Sequence, residues 1–255
     1  TVDFPTIYVS TSGAGKMGAL RYASADILAY DVATEAWSLY FDGSDVGLTR
    51  NMNNFAIREF GTILMTLALP QNVPGVGAVQ PQDILLFTPT TLGEDTTGTW
   101  QLYFDGSDME LTTTGERLDA LAIRTSQLLV STQGNGKVDA TGQELTVRDD
   151  DVLVAYLWEL GANTAGYWMR LRDQTVLPDM VAENVTGLYH APNDPTNYDL
   201  YVSFANKFNV GGVKGQAGTI VHMTYDATLA TYTAHPFWDA KQAGLVGVMD
   251  GFDLR

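Results

Sequence analysis

Two short clusters, Asp42-Gly43-Ser44-Asp45 and Asp105-Gly106-Ser107-Asp108, carry the residue types that hold hard cations: paired carboxylates with a hydroxyl and backbone carbonyls between them. Ca²⁺ requires six to eight oxygen ligands, so each cluster would need help from elsewhere in the chain. No Glu follows at the spacing that completes an EF-hand loop. The same four residues also suit a tight turn, in which Gly supplies an unusual backbone angle and the Asp side chains accept nearby N–H groups. The turn is the preferred reading. Ca²⁺ at Asp42, Asp45, Asp105 and Asp108 is the alternative, and it is the one cofactor the sequence suggests.

Other chemistry-bearing residues are less organised. The segment SGAGK (12–16) fails as a phosphate loop: Ser10 stands where the first Gly is needed, and Met17 where Ser or Thr should follow the Lys. The three histidines, His190, His222 and His235, show no metal-binding spacing, and no G-x-S-x-G nucleophile elbow is present. Carboxylates are too abundant for any glycosidase pair to stand out. Asn184-Val185-Thr186 is a formal N-glycosylation sequon. No convergent catalytic set is visible, so the sequence reads as non-enzymatic.

Bulk composition narrows the classes further. Net charge is −16 with 14 basic and 30 acidic residues, which disfavours nucleic acid and anionic membrane surfaces as partners. There are no cysteines, which removes disulfides and thiolate metal sites. No apolar run approaches the roughly 20 residues of a membrane-spanning helix. A first residue of Thr1 suggests a mature, processed protein, and hence a secreted or extracellular one.

The elements that must position the Asp clusters emerge from the segments around them. WSLYFDGSDVGLT (37–49) and WQLYFDGSDMELT (100–112) agree at ten of thirteen positions, 63 residues apart. Upstream of each lies an apolar run and a turn-rich gap, DILAYDVATEA (26–36) and DILLFTPTTLGEDTTGT (83–99), matched by DVLVAYLWELGANTAGY (151–167) before Trp168. Earlier again come IYVSTSG (7–13), ILMTLAL (63–69), LLVSTQG (128–134) and LYVSFAN (200–206). Taking Trp37, Trp100, Trp168 and Tyr232 as anchors, four units recur. Each holds four short strands, with a long loop between the second and third that is rich in Pro and Gly in the second unit. In the last unit PFWDAK shares little with the DGSD turn, and in the third RDQTVLPD (172–179) keeps only Asp173.

Tandem four-stranded meanders predict an all-β fold, a four-bladed β-propeller forming a single domain. Its blade units run 1–50 plus 245–255, 51–115, 116–181 and 182–244. MDGFDL (249–254) matches the first strand of a unit (compare LDALAI, 118–123), whereas TIYVST (6–11) matches the second. Pairing of the terminal strands would therefore close the ring and remove its edges. The three Trp residues are expected to pack between outer strands of adjacent blades. Asn53, Asp119, Thr186 and Asp250 fall at equivalent positions near the start of each innermost strand and should form a polar ring around the channel, holding an ion or water.

The motif DIL-x-[FY], then TGTW, then LYFDGSDVGL resembles tandem repeats of secreted or cell-surface bacterial proteins of undefined activity. The resemblance implies an extracellular propeller module and brings no catalytic residues with it. The blade count also resembles hemopexin-type propellers, without their Cys closure. The function expected is a secreted, non-enzymatic structural or interaction module. Its partners would be further copies of itself, in a homo-oligomer, surface layer or fibre joined through the terminal strand or blade edges. The alternative is a lectin-like, glycan-binding or hydrolytic propeller whose site lies at one channel mouth, built by the loops at 69–82, 134–150 and 206–217.

Overall fold

The computed structural model describes residues 4–171, 180, 183–191, 199–226, 228–229 and 231–255. It is a four-bladed β-propeller: four antiparallel four-stranded sheets arranged in a ring. From axis to rim, blade 1 consists of Met249–Leu254, Thr6–Thr11, Ile27–Asp31 and Ala36–Phe41. Blade 2 consists of Met52–Ile57, Ile63–Leu67, Ile84–Thr91 and Thr97–Phe104, and blade 3 of Leu118–Arg124, Gln127–Thr132, Leu153–Glu159 and Ala165–Arg170. Blade 4 consists of Val185–His190, Leu200–Phe204, Thr219–Asp226 and Thr231–Asp239. The terminal strands pair within one chain, Ile7 opposite Leu254 and Val9 opposite Phe252.

Each pair of neighbouring blades buries its own hydrophobic core. One cluster joins blades 1 and 2 around Phe41, Phe55 and Phe87, and a second joins blades 2 and 3 around Phe104 and Trp168. A third joins blades 3 and 4 around Leu129 and Phe204, and a fourth joins blades 4 and 1 around Tyr201 and Phe252. Strands such as Ile63–Leu67 and Leu200–Phe204 are buried along their whole length, because both faces meet a neighbouring blade. Their continuous apolar sequences follow from that position.

The long connections between second and third strands are not plain loops. Each folds into a small hairpin: Gly15–Met17 with Leu20–Tyr22, Gln71–Val73 with Gly77–Val79, Gly136–Asp139 with Glu144–Val147, and Phe208–Val210 with Val213–Gly215. Apolar residues such as Val73, Val79, Val138, Val147 and Val210 anchor the hairpins to the cores.

Strand register corrects one repeat anchor. Trp37 pairs with Tyr30, Trp100 with Phe87 and Trp168 with Ala155, and the equivalent pair in blade 4 is Ala234 with Met223. Ala234, and not Tyr232, therefore occupies the fourth Trp position. The aromatic at Tyr232 sits two residues earlier, and its short offset hides the substitution in an ungapped comparison.

Candidate functional site

The DGSD clusters lie at the outer ends of blades 1 and 2, where the last strand turns towards the next blade. Asp42 Oδ1 accepts from the backbone N–H and hydroxyl of Ser44 at 2.9 and 2.7 Å, and Asp105 does the same with Ser107 at 3.0 and 2.7 Å. Asp45 Oδ2 accepts from the Thr96 N–H of the next blade at 3.0 Å. Among the described residues no three His, Asp or Glu side chains converge in a metal-holding group. Asp108 occupies the position of Asp45 in the second turn. The third copy, with Asp173, lies outside the described residues.

The Gly of each cluster serves a purpose other than the one expected of a turn. Gly43 and Gly106 have ordinary φ values of −69° and −64°. A Cβ there would stand 2.3 Å from the Ala25 carbonyl and 2.4 Å from the Gln82 carbonyl, so close backbone approach excludes any side chain. The left-handed residues come later, at Gly47 (φ 85°) and Glu110 (φ 67°).

Blade 4 makes the same turn from dissimilar residues. Leu245 N–H donates to Ala240 O at 2.8 Å, as Leu48 does to Gly43 and Leu111 to Gly106. Here the turn carries Ala240, and the facing residue is Gly218, the structural counterpart of Ala25 and Gln82. The small residue has changed sides and the clearance is kept.

These turns are sockets for the next blade. The indole N–H of Trp100 donates to Val46 O at 2.9 Å, that of Trp168 to Met109 O at 2.9 Å, and that of Trp37 to Ala243 O at 2.8 Å. Val46, Met109 and Ala243 are the same residue of three equivalent turns. Thr96 and Thr164 add a second clamp, accepting from the N–H groups of Asp42 and Asp105 at 3.0 and 2.9 Å. The expected place of the Trp residues between blades is thus the observed one, and what the sequence did not reveal was their hydrogen-bond acceptors.

At the axis, Asn53, Asp119, Thr186 and Asp250 are each the second residue of an innermost strand, and each is the unpaired residue of a β-bulge. A bulge residue is freed from the ladder and re-aimed; of the four, Asn53 meets Asp119, and the Asp119 charge reaches Asp250. Hydroxyls on the second strand support the bulges: Thr66 Oγ1 accepts from Asn54 N–H at 3.1 Å, and Ser10 Oγ from Gly251 N–H at 3.0 Å. Asn53 Nδ2 donates to Asp119 Oδ1 at 3.0 Å, and Asn51 Nδ2 to Asp250 Oδ2 at 2.7 Å. The Asn184 side chain also bonds Asp119, so the sequon asparagine belongs to this cluster. The buried oxygens Asn51 Oδ1, Asn184 Oδ1 and Thr186 Oγ1 have no hydrogen-bond partner among the described residues. Burial raises the carboxyl pKa of both acids; Asp250 reaches about 6, with the Asp119 charge adding to the shift.

Asn54, one residue past the ring, closes the axis. Its Nδ2 reaches from blade 2 to the Thr186 carbonyl of blade 4 at 2.6 Å and to the Asp119 carbonyl at 3.2 Å. Gly251 makes room for it, since a Cβ there would lie 2.9 Å from the amide. Towards the other ends of the same strands, buried Asp253 accepts from Ile57 N–H at 2.9 Å and from Arg255 Nε at 3.0 Å. Burial lifts its pKa to about 7 against the opposing pull of Arg255, and lifts nearby Tyr40 to about 12. Neither Asn54 nor Asp253 stands out in sequence, because their partners are distant in the chain.

All three histidines lie on blade 4. His222 faces His235 across blade 4, stacks on Tyr201 at 4.3 Å, and lies 3.5 Å from Asp199; burial lowers its pKa. His190 is buried at the end of its innermost strand. The hairpin within 206–217 forms one wall of a cleft of about 490 Å³ on blade 4, whose other wall is the outermost strand.

The class of protein defined by this arrangement is a closed four-bladed β-propeller whose blades are latched through indole N–H groups and exit turns. No family model and no curated protein matches the chain. Among solved structures it is similar to a protein of unknown function from Bacteroides caccae, at 13% identity over 98% of each chain with a TM-score of 0.36. The fold assignment rests on the strand pairing above and not on that likeness.

Proposed function

We propose that this protein is a secreted, non-enzymatic interaction module, a rigid platform whose loops and clefts engage a partner. The observation that carries this reading is the use made of the exit turns: the carboxylates of Asp42, Asp45 and Asp105 accept from Ser44, Thr96 and Ser107, and the next carbonyls, of Val46 and Met109, take indole latches from the following blade. The acidic composition and the repeat resemblance support an extracellular setting. In its self-assembling form the module would use the blade 1 seam, with Met249–Leu254 of one copy completing the blade of a neighbour.

The test incubates the protein with an esterase and glycosidase substrate panel and with a glycan array, alongside electron microscopy across a concentration series. Binding without turnover is expected. Turnover above the buffer blank would overturn the module reading, and isolated globules at every concentration would remove its fibre form.

A further inference from the structure

We propose that the blade 4 cleft binds an acidic saccharide: a sugar unit bearing a carboxylate or sulfate. The inference rests on the interaction-module reading and names the ligand class of that module.

The cleft lies between the hairpin Phe208–Val210/Val213–Gly215 and the strand Thr231–Asp239, and its volume of about 490 Å³ is that of a small-ligand site. Its charge runs against that of the protein. In a chain of net charge −16, the exposed Lys207 and Lys214 both line it, and neither forms an ion pair among the described residues. The single carboxylate in the lining, Asp239, is occupied on both oxygens. Oδ2 accepts from the Thr219 hydroxyl at 2.9 Å and Oδ1 from the Gln242 N–H at 2.9 Å. Two unpaired ammonium groups therefore outnumber the one carboxylate of the lining, which is held in place by the frame, an arrangement complementary to an anion.

An anion alone does not account for the other wall. Trp238 pairs with Ile220 at the register where blades 1 and 2 place the fully buried Phe41 and Phe104. In blade 4 this residue is an only partly buried Trp that lines the cleft, held from behind by Tyr30 and Trp37 at 5.6 and 6.2 Å. Its indole N–H donates no hydrogen bond among the described residues, unlike those of Trp37, Trp100 and Trp168. Gln216 and Gln242 supply amide groups that can both donate and accept. A pyranose ring offers an apolar C–H face to an indole and hydroxyls to amides, and an acidic substituent would meet the lysines. Inorganic anions lack the first two features.

The test is isothermal titration of the full chain with tetragalacturonate and with a chondroitin sulfate tetrasaccharide, which separate carboxylate from sulfate. Maltotetraose serves as the neutral control and sodium sulfate as the bare anion. Binding of either acidic tetrasaccharide is expected, weakened roughly tenfold or more by Lys207→Glu/Lys214→Glu and by raised salt. Lys137→Glu, on the blade 3 hairpin, should leave the affinity unchanged. Both cleft lysines are exposed, so the double variant folds, and circular dichroism checks that it does. The proposal is overturned by absence of binding to both acidic tetrasaccharides, by equal binding of maltotetraose, by equal competition from sulfate, or by an unaffected double variant. If the glycan array shows only neutral ligands while these titrations are flat, the acidic-saccharide inference fails and the module reading stands. If the tetrasaccharides are cleaved, the module reading fails.

Discussion

The indole N–H of Trp37 donates to the carbonyl of Ala243 at 2.8 Å, fastening the outer strand of the first repeat to the exit turn of the last. Two identical latches follow around the ring, from Trp100 to Val46 and from Trp168 to Met109. The fourth blade has Ala234 at that position and offers no indole there.

Trp100→Phe and Trp168→Phe keep an aromatic ring but delete the donor and leave the Val46 carbonyl, part-buried, or the Met109 carbonyl, buried, without it. Each should cost about 1–2 kcal/mol, read as a lowered urea midpoint with little change in slope. Trp158→Phe is the control: that residue is 70% exposed, and its replacement should change stability by under about 0.5 kcal/mol.

Gly106→Ala should destabilise by about 1–3 kcal/mol, because the new Cβ meets the Gln82 carbonyl at 2.4 Å and its Cβ at 2.6 Å. Gly13→Ala, where nothing lies within 4 Å and φ is not positive, should be nearly neutral in thermal unfolding. A loss at Gly13 equal to that at Gly106 would contradict the clearance account.

Asp250 sets a pH dependence. Its carboxyl has a pKa near 3.9 in an unfolded chain and about 6 in the fold. Between those values the folded state binds the extra proton, so stability is greatest below about pH 4 for this group and falls as pH rises towards 6 and above. Asp250→Asn should flatten the decline in urea midpoint between pH 4 and pH 7.5. A wild-type midpoint that rises over that interval because of Asp250 would refute the assignment.

The exit turns should hold without a bound cation, since Asp42 and Asp105 are satisfied by Ser44 and Ser107, and Asp45 by Thr96. EDTA should leave the thermal midpoint unchanged. A fall reversed by added calcium, and absent in a variant with Asp42 and Asp45 changed to Asn, would restore the metal reading of these residues.

Much of the frame was readable from the chain. Ungapped repetition revealed the strands, the blade count and the ring closure, since ILMTL and LYVSF are apolar throughout and MDGFDL matches a first strand. Equivalence also located Asn53, Asp119, Thr186 and Asp250, because a repeat fixes which residues share a position. It did not reveal that all four are bulge residues, although the Ser or Thr at 10, 66, 131 and 203 was a signal: two of those hydroxyls cap the N–H beside a bulge.

What sequence determined by itself was local and periodic: strand propensity, turn chemistry and the order of the blades. Tertiary structure alone decided which groups meet across the ring. Asn54 finds Thr186 on the opposite blade, Trp37 finds Ala243, and Asp253 finds Ile57. The blade 4 turn keeps its clearance by carrying Ala240 in place of Gly and Gly218 in place of a larger residue, a compensation invisible to position-by-position comparison. Periodicity reports the face a residue turns to its neighbours, whereas a contact between residues a hundred or more apart depends on how four separately packed interfaces bring their edges together.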